Sequence, residues 1–384
     1  MTENRYDFHT PAAREVAGGL KWGKYAGRDV LPMWVADMDF LCPPEVLAAL
    51  HRRVDDGIFG YGMATDGLVQ AVLEAMRREF NWEVQPEWLV WLPGLVSGIT
   101  QTCRACGEAQ DEVLVNTPVY PPFLKAPRWV DRKCVAAPLA GNNTEGWKLD
   151  AEAMRAAITD RTSLYLLCHP HNPVGRMWTE VELRAAAEVC LENDVVICSD
   201  EIHNQLILTT ERRHRPLATL SPEIAAKTIT LLAPSKTFNI PGLGCSLAII
   251  PDGSLRRRFN HAGMGIVPHV NVLGLVAAEA AWREAGDWLN ELRGVLRGNR
   301  DYLRERVEGW AGVTMPEVEA TFLAWLDVRE LGLEDPVGFF EGHGVGLSEG
   351  ADFDGAGYVR LNFGCSREML GGACDRFESG LGAV

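Results

Sequence analysis

Short apolar runs rich in β-branched residues recur along the middle of the chain, and amphipathic helical stretches lie between several of them. The predicted strands cover residues 112–116, 163–168, 195–199, 228–233 and 246–250. One of the helical stretches covers residues 180–193. Strands that alternate with helices are typical of a mostly parallel sheet covered on both faces. The pattern therefore predicts an α/β fold built on a large central sheet.

The pattern changes in the last third of the chain. Near residues 277–308 the pattern becomes a long run of helix, and a shorter α+β region with a predicted strand at 357–363 follows it. We expect this C-terminal part to form a small α+β domain together with the N-terminal segment. The predicted boundaries are 1–48 for the N-terminal segment, 49–280 for the large domain and 281–384 for the C-terminal part. A chain of 384 residues fits two domains of ordinary size.

Composition and charge exclude several classes of function. The formal net charge of −15 disfavours nucleic-acid binding, because contacts with phosphates require a basic surface. We find no apolar stretch of membrane-spanning length and no apolar core of a secretory signal near the N-terminus. We therefore expect a cytoplasmic protein without membrane association.

The 10 cysteines are scattered, and several lie in apolar runs, which predicts reduced and buried thiols. Cys103 and Cys106 form a CxxC, but no second CxxC or neighbouring His pair completes a zinc site. We expect helix-borne packing cysteines and no metal.

Polar residues that could take part in catalysis or ligand binding lie at the ends of predicted strands, where open α/β sheets bind ligands. Lys236, in APSKTFNIPGLG, follows strand 228–233. A buried lysine loses its charge readily, which favours imine formation with an aldehyde, although a lysine in a surface turn has the same local pattern. Asp200 follows strand 195–199, and its carboxylate needs a partner above an apolar floor. A protonated pyridine nitrogen would serve, and a helix cap or a structural ion pair is the alternative.

Three further features lie near other strand ends. Asn172, in LCHPHNPVGR, occupies a turn and could donate a hydrogen bond to a phenolate oxygen. His203 lies three residues after Asp200, within reach of the same ligand. Residues 90–102 resemble a strand, a glycine turn and a helix start, whose free N–H groups could bind phosphate. Each feature alone has an ordinary structural explanation.

Together and in this order, these elements resemble the class I/II aminotransferase superfamily, that is, pyridoxal 5'-phosphate (PLP) fold type I. Longer segments are similar to the MalY/PatB group of cystathionine β-lyase-type C–S lyases: VLPMWVADMDF, FGYGMAT, NTPVYPPF, APSKTFNIPGL and GYVRLNFGCSREML. The resemblance implies a large domain with a mostly parallel seven-stranded sheet between helices, and a small α+β domain. It also implies PLP as cofactor and a homodimer with shared active sites.

The resemblance assigns roles to individual residues. Lys236 is expected to form the Schiff base with the cofactor and to carry the proton, and Asp200 to pair with the pyridinium. The other implied cofactor contacts are Asn172 and His203 at the ring oxygen, Tyr120 on the ring, Leu95, Val96 and Ser235 at the phosphate, and Tyr61 from the neighbouring subunit. Arg360 is expected to bind the substrate α-carboxylate through a bidentate pair, with the backbone near Ala36 closing over it.

Two positions depart from patterns common in the superfamily. Residues 241–245 read PGLGC and lack the arginine that many superfamily members place there, an absence that the MalY group shares. His169 stands where relatives commonly have a small polar residue or Asn; it is close to Asn172 in the sequence and could tune the substrate pocket, so the exact substrate stays open.

Three functions remain open at this point. The first is a C–S β-lyase acting on cystathionine, cysteine or a cysteine S-conjugate to give a thiol, pyruvate and ammonia. The second is an aminotransferase of a small amino acid, which would use the same cofactor-binding residues. The third is a PLP-binding protein whose main role is contact with a regulator.

Overall fold

A seven-stranded sheet forms the centre of the molecule. We describe the protein from a computed structural model that covers residues 6–10 and 18–383. The strands are β1 (Leu31–Pro32), β2 (Leu89–Leu92), β3 (Glu112–Thr117), β4 (Lys133–Pro138), β5 (Thr162–Cys168), β6 (Val196–Asp200), β7 (Thr228–Leu232), β8 (Ser246–Ile249), β9 (Leu323–Asp327), β10 (Val345–Gly346), β11 (Ser348–Glu349) and β12 (Tyr358–Asn362). The central sheet has the order β2-β8-β7-β6-β5-β3-β4. Only β8 runs antiparallel to its neighbours, so the predicted mostly parallel sheet is confirmed.

Helices cover both faces of this sheet. The helices of the described residues are α1 (Leu20–Gly23), α2 (Pro44–Asp55), α3 (Asp66–Phe80), α4 (Leu95–Ala105), α5 (Pro121–Trp129), α6 (Ala151–Ala157), α7 (Glu180–Glu192), α8 (Pro222–Ala226), α9 (Gly253–Gly263), α10 (Val272–Glu284), α11 (Gly286–Glu308), α12 (Pro336–Gly342) and α13 (Arg367–Leu381). Of these, α12 and α13 pack against the short strands of the C-terminal part instead. Because side chains alternate along a strand, Cys198 packs on the α4 side of the sheet and Ile197 on the α7 side. This alternation later decides which strand-end residues can meet one ligand.

A second, smaller sheet lies in the C-terminal part. Strands β11, β12 and β9 pair antiparallel, with β12 in the middle. The N-terminal strand β1 pairs in parallel with β10, so the chain near Leu31 joins the C-terminal part. The domain boundaries at 48 and 280 stay a prediction, which this pairing favours, and residues 1–5 and 11–17 lie outside the described residues.

The predicted strands agree with the structure to within a residue or two. The long run of helix predicted at 277–308 is helical and divides into two helices, α10 and α11, that meet at Ala285. Within residues 6–10 and 18–383, no helix combines the length and the hydropathy that crossing a bilayer requires.

Candidate active site

Lys236 lies in the loop that follows β7, the third strand of the central sheet counted from the β2 edge. Its Nζ donates a hydrogen bond to the carbonyl oxygen of Ala36. The loop is fixed to the same N-terminal segment by Asn239, whose side chain bonds the backbone of Met38 and Phe40. Burial and the positive charge of Arg360 together lower the pKa of Lys236 to about 8, against the opposing charges of Asp37 and Asp200. A sizeable fraction of this amine is therefore neutral near physiological pH and able to act as a base or nucleophile.

Asp200 is the last residue of β6, on the α4 side of the sheet. Its Oδ1 accepts a hydrogen bond from the backbone N–H of Ile202 at 3.1 Å. Burial raises the pKa of Asp200 to about 7, and the negative charge of Glu201 adds to the shift while the ammonium of Lys236 opposes it. The carboxyl group thus lacks a cationic partner strong enough to offset its burial.

Arg360 reaches the site from β12, the middle strand of the small sheet. Its Nη1 donates to Asn172 Oδ1 at 3.0 Å, and its Nη2 donates to the Trp34 carbonyl at 2.9 Å and to Ser348 Oγ at 3.2 Å. Its Nε is buried and has no partner among the described residues. The guanidinium also lies 4.7 Å from the ring centroid of Phe353. Burial lowers its pKa to about 10, so the group stays positively charged.

Asn172, Tyr120 and His203 complete the polar lining. The backbone N–H of Tyr120, which precedes α5, donates to the Asn172 carbonyl at 3.0 Å. Burial raises the pKa of Tyr120, and the charge of Asp200 adds to the rise. His203 is buried with its Nδ1 lacking a partner among the described residues. Burial lowers the pKa of His203 to about 3, so the imidazole is neutral.

The start of α4 lies near the loop that precedes β8, where a Cβ at Gly244 would lie 3.0 Å from the Pro93 carbonyl oxygen. Gly94 precedes the helix and offers no side-chain cap, so the N–H groups of Leu95 and Val96 remain available, as the first N–H groups of any helix do. A Cβ at Gly98 would lie 2.9 Å from a Leu92 methyl and 3.3 Å from a Leu231 methyl. A glycine at this position therefore allows α4 to approach the sheet at β2 and β7. Ser235, next to Lys236, is partly accessible.

Tyr61 is the predicted site residue that the structure does not bring to the others. Its side chain is fully exposed, in the irregular segment between α2 and α3. Within one chain it has no contact with Lys236 or Asp200. A residue that acts in the site of a neighbouring subunit is expected to lie away from the site of its own chain.

The ring of His169 lies on the face of the sheet opposite to Asp200, which argues against a role in tuning the substrate pocket. Cys168 pairs with Asp200 across β5 and β6, and the next residue, His169, turns to the opposite face. There its ring stacks on that of His214 at 4.3 Å, and its Nε2 approaches the Arg215 carbonyl at 3.2 Å. The reason is the two-residue period of a strand.

Sequence reasoning missed a buried polar pair behind Asp200. Glu201 Oε2 lies 2.8 Å from His214 Nε2, and Glu201 Oε1 accepts hydrogen bonds from Ser199 Oγ at 2.8 Å and the Leu217 N–H at 3.0 Å. Burial raises the pKa of Glu201 to about 7 and lowers that of His214 to about 3. Strand alternation through SDEIH was the available signal for Glu201, whereas nothing local pointed to His214, Trp34 or Ser348.

The CxxC cysteines are packing residues. Cys103 and Cys106 are buried free thiols at the end of α4, and burial raises their pKa values to about 12 and about 11. Residues 6–10 and 18–383 contain no cluster of three or more His, Cys, Asp or Glu side chains that could hold a metal ion.

Comparisons with known proteins agree on one family. Residues 28–377 match the model of the class I and II aminotransferases. The chain is 35% identical over 381 residues to cystathionine beta-lyase PatB of Bacillus subtilis, across 94% of this chain and 96% of that protein. A crystal structure of OvoB has a TM-score of 0.96 and 44% identity, covering 99% of this chain and 100% of that chain. The PLP-bound C–S lyase of Staphylococcus hominis has a TM-score of 0.92 and 29% identity, covering 99% of each.

Proposed function

We propose, from the premise that this chain belongs to the class I and II aminotransferase family and to its PatB-like group, that it is a PLP-dependent carbon–sulfur β-lyase. The substrate is cystathionine, cysteine or a cysteine S-conjugate, and the products are a thiol, pyruvate and ammonia. One observation carries the proposal: the half-buried amine of Lys236, with its pKa lowered to about 8, lies close enough to Asp200 and Arg360 for both charges to act on it. The names of PatB and of the S. hominis enzyme support carbon–sulfur cleavage over transamination.

The residues present fit PLP group by group. Asp200 is a buried carboxyl whose raised pKa reports a missing cationic partner, which a protonated ring nitrogen supplies. Asn172 has its Oδ1 occupied by Arg360, which leaves its Nδ2 to donate to the phenolic oxygen, next to His203 with its unpartnered Nδ1. The ring of Tyr120 is the stacking surface.

The phosphate is assigned to the start of α4. Backbone N–H groups at a helix N-terminus bind phosphate, and the amides of Leu95 and Val96 provide them here. The hydroxyl of Ser235 adds a donor beside the lysine. Because residues 241–245 carry no arginine, these neutral donors and the helix dipole must meet the phosphate charge.

Lys236 has two tasks in this proposal. PLP, when bound, supplies an electron-poor ring that accepts the electron pair released when the substrate α-proton leaves. Lys236 would hold the cofactor through its Nζ, and the same amine, in its neutral form, would take the α-proton of the bound substrate. The lowered pKa leaves enough neutral amine for this step near neutral pH. The β-carbon–sulfur bond then breaks, the thiolate leaves, and addition of one water gives pyruvate and ammonia.

Arg360 orients the substrate. Its guanidinium is held by Asn172, Trp34 and Ser348, and its free Nε adds a donor for the α-carboxylate. The carbonyl oxygen of Ala36 accepts the hydrogen bond from Lys236, so the backbone at Ala36 lies beside the amine, where we expect the substrate to bind.

A homodimer completes the site in this proposal, with Tyr61 reaching the phosphate of the neighbouring subunit. Tyr61 lies in an exposed apolar stretch with Phe59 and Met63. Met63 and the exposed Met264 line one surface cavity of about 580 Å³. A contiguous apolar surface of this kind is typical of a protein–protein contact.

The proposed function is tested by incubating purified protein with cystathionine and several cysteine S-conjugates while following pyruvate and thiol together. We expect equal amounts of both products from at least one substrate. The Lys236→Ala variant should make neither and should lose the absorbance band of the bound cofactor. Arg304→Ala, an exposed substitution on α11, is the matched control and should leave both unchanged.

Two outcomes would contradict the proposal. Neither product from any substrate removes the lyase activity. Transfer of the amino group to a keto acid, without thiol release, identifies an aminotransferase instead.

A further inference from the structure

A second polar cavity lies on the surface, away from the residues assigned to catalysis. We name it the arginine cavity, and it is defined by five arginines that line it: Arg78, Arg212, Arg213, Arg293 and Arg297. It encloses about 400 Å³ between the end of α3, the segment after β6 and the middle of α11. An adjoining cavity of about 390 Å³ shares Arg78, Arg213 and His214 with it. Volumes of this size are typical of small-molecule sites.

The positive charges of the arginine cavity are only partly neutralised. Glu79 is its one lining carboxylate among the described residues, and both Arg78 and Arg293 contact it, at 3.2 and 3.3 Å. Arg212 is paired with Glu319. The guanidinium groups of the two remaining arginines, Arg213 and Arg297, have no hydrogen-bond or ion-pair acceptor within the described part of the chain.

Burial and like charges act unfavourably on the charged form of Arg293. Its Nε donates to the Gln205 carbonyl at 2.6 Å, so the side chain is fixed rather than free to turn to solvent. Burial lowers its pKa, and the neighbouring charges of Arg297 and Arg78 act in the same direction. Convergent like charges destabilise a folded protein unless an opposite charge joins them.

The overall charge of the protein makes the cluster unusual. The chain carries a formal net charge of −15, yet the lining combines five arginines with one glutamate. Buried His214 lies at the base of the cavity and is neutral, so it does not change this balance. Planar guanidinium groups bind phosphate and carboxylate oxygens in bidentate pairs.

We propose that the arginine cavity binds a small polyanion, a metabolite that carries phosphate or several carboxylate groups. Two unpaired arginines on different elements, one on the segment after β6 and one on α11, match a ligand with at least two negative groups. A long nucleic-acid chain does not fit, since the net negative charge of the protein would repel the rest of it.

A chain of contacts connects the arginine cavity with the residues assigned to catalysis. His214 at the base of the cavity contacts Glu201, and Glu201 adjoins Asp200 in the chain. The proposal does not depend on the lyase activity. The test below measures the affinity for the polyanion and not turnover, so failure of one proposal can be told from failure of the other.

The experiment is calorimetric titration of the holoenzyme at low salt with inorganic pyrophosphate, inorganic phosphate and citrate. The Arg213→Ala/Arg297→Ala double variant removes the two unpaired cations without breaking an ion pair. The control is Arg257→Ala/Arg258→Ala, which removes two exposed arginines from α9, outside the cavity lining. Both double variants remove two positive charges. The control therefore distinguishes binding at the arginine cavity from a general effect of the net charge of the protein.

We expect pyrophosphate or citrate to bind the unmodified protein and the control alike, and the 213/297 variant about tenfold or more weakly. Tighter binding of pyrophosphate than citrate would identify a phosphorylated ligand, and the reverse a polycarboxylate. Three results would overturn the proposal: no binding at millimolar concentration, equal binding by all three proteins, or equal weakening in both variants.

Discussion

Replacing Asp200 by Asn should stabilise the cofactor-free protein against unfolding and destabilise the cofactor-bound protein. The structure buries Asp200 on the α4 side of β6 and raises its pKa from 3.8 to about 7, chiefly through burial. The native state therefore holds this proton more tightly than the unfolded state. Stability from this group is present at low pH, falls as the pH rises from about 4, and is fully lost above about 7.

The change in the free energy of unfolding follows from the pKa shift of Asp200. At about 1.4 kcal/mol per pKa unit, ionised Asp200 costs the cofactor-free protein about 4 kcal/mol, of which about 2.5 kcal/mol develops between pH 5 and pH 8. Asn is neutral at every pH, and its Oδ1 can still accept the hydrogen bond from Ile202. The advantage of the variant over the unmodified protein should therefore grow with pH by that amount.

Urea unfolding of the cofactor-free proteins at pH 5 and pH 8 measures the effect. With cofactor bound, the order should reverse, since Asn cannot pair with a protonated ring nitrogen, and the cofactor should dissociate more readily. Asp194→Asn is the matched control, because Lys227 lowers the pKa of that exposed carboxylate and no pH-dependent gain is expected.

An advantage of the Asn variant that does not grow between pH 5 and pH 8 would refute this reasoning. It would mean that Asp200 is already compensated in the cofactor-free protein. A variant that keeps full cofactor affinity would refute its assignment to the ring nitrogen.

Three further predictions follow from the site. Arg360→Lys keeps the charge but loses the planar fork, so kcat/KM for pyruvate release should fall roughly 100-fold, mainly through KM; an equal loss for a substrate without the α-carboxylate would contradict this role. Glu201→Gln removes the carboxyl whose pKa burial raises to about 7, so the stability lost by the cofactor-free protein between pH 5 and pH 8 should shrink by about 2 kcal/mol in urea titrations; an unchanged loss would place the charge elsewhere. Tyr61→Ala should weaken cofactor binding in a cofactor titration while leaving the cofactor-free melting temperature unchanged, and unchanged affinity would exclude Tyr61 from the phosphate site.

Several elements could be predicted from local sequence alone. The runs at 112–116, 163–168, 195–199 and 228–233 became β3, β5, β6 and β7, because apolar β-branched residues between polar helices fit only a sheet covered on both faces. The same pattern placed Asp200 and Lys236 at strand ends. Parallel strands finish at one edge of a sheet, so their loops were expected to meet there.

Other features depended on residues that are far apart in the chain. Arg360 enters the site only because β12 lies in a separate sheet, where Trp34 and Ser348 hold its guanidinium. The one-residue step from Cys168 to His169 places the His169 ring on the face opposite to Asp200, and proximity in sequence to Asn172 does not specify the face of the sheet. Ala285 divides the long predicted run of helix into two helices.

The sequence by itself determined which segments form strands and helices and which residue types stand at the strand ends, because these follow from local periodicity and the chemistry of single side chains. Tertiary structure alone decided which side chains share a space: the Glu201–His214 pair behind Asp200, and the meeting of α3, the 204–213 segment and α11 in the arginine cavity. Burial, and hence each pKa shift, arises from such long-range packing, which no local pattern contains.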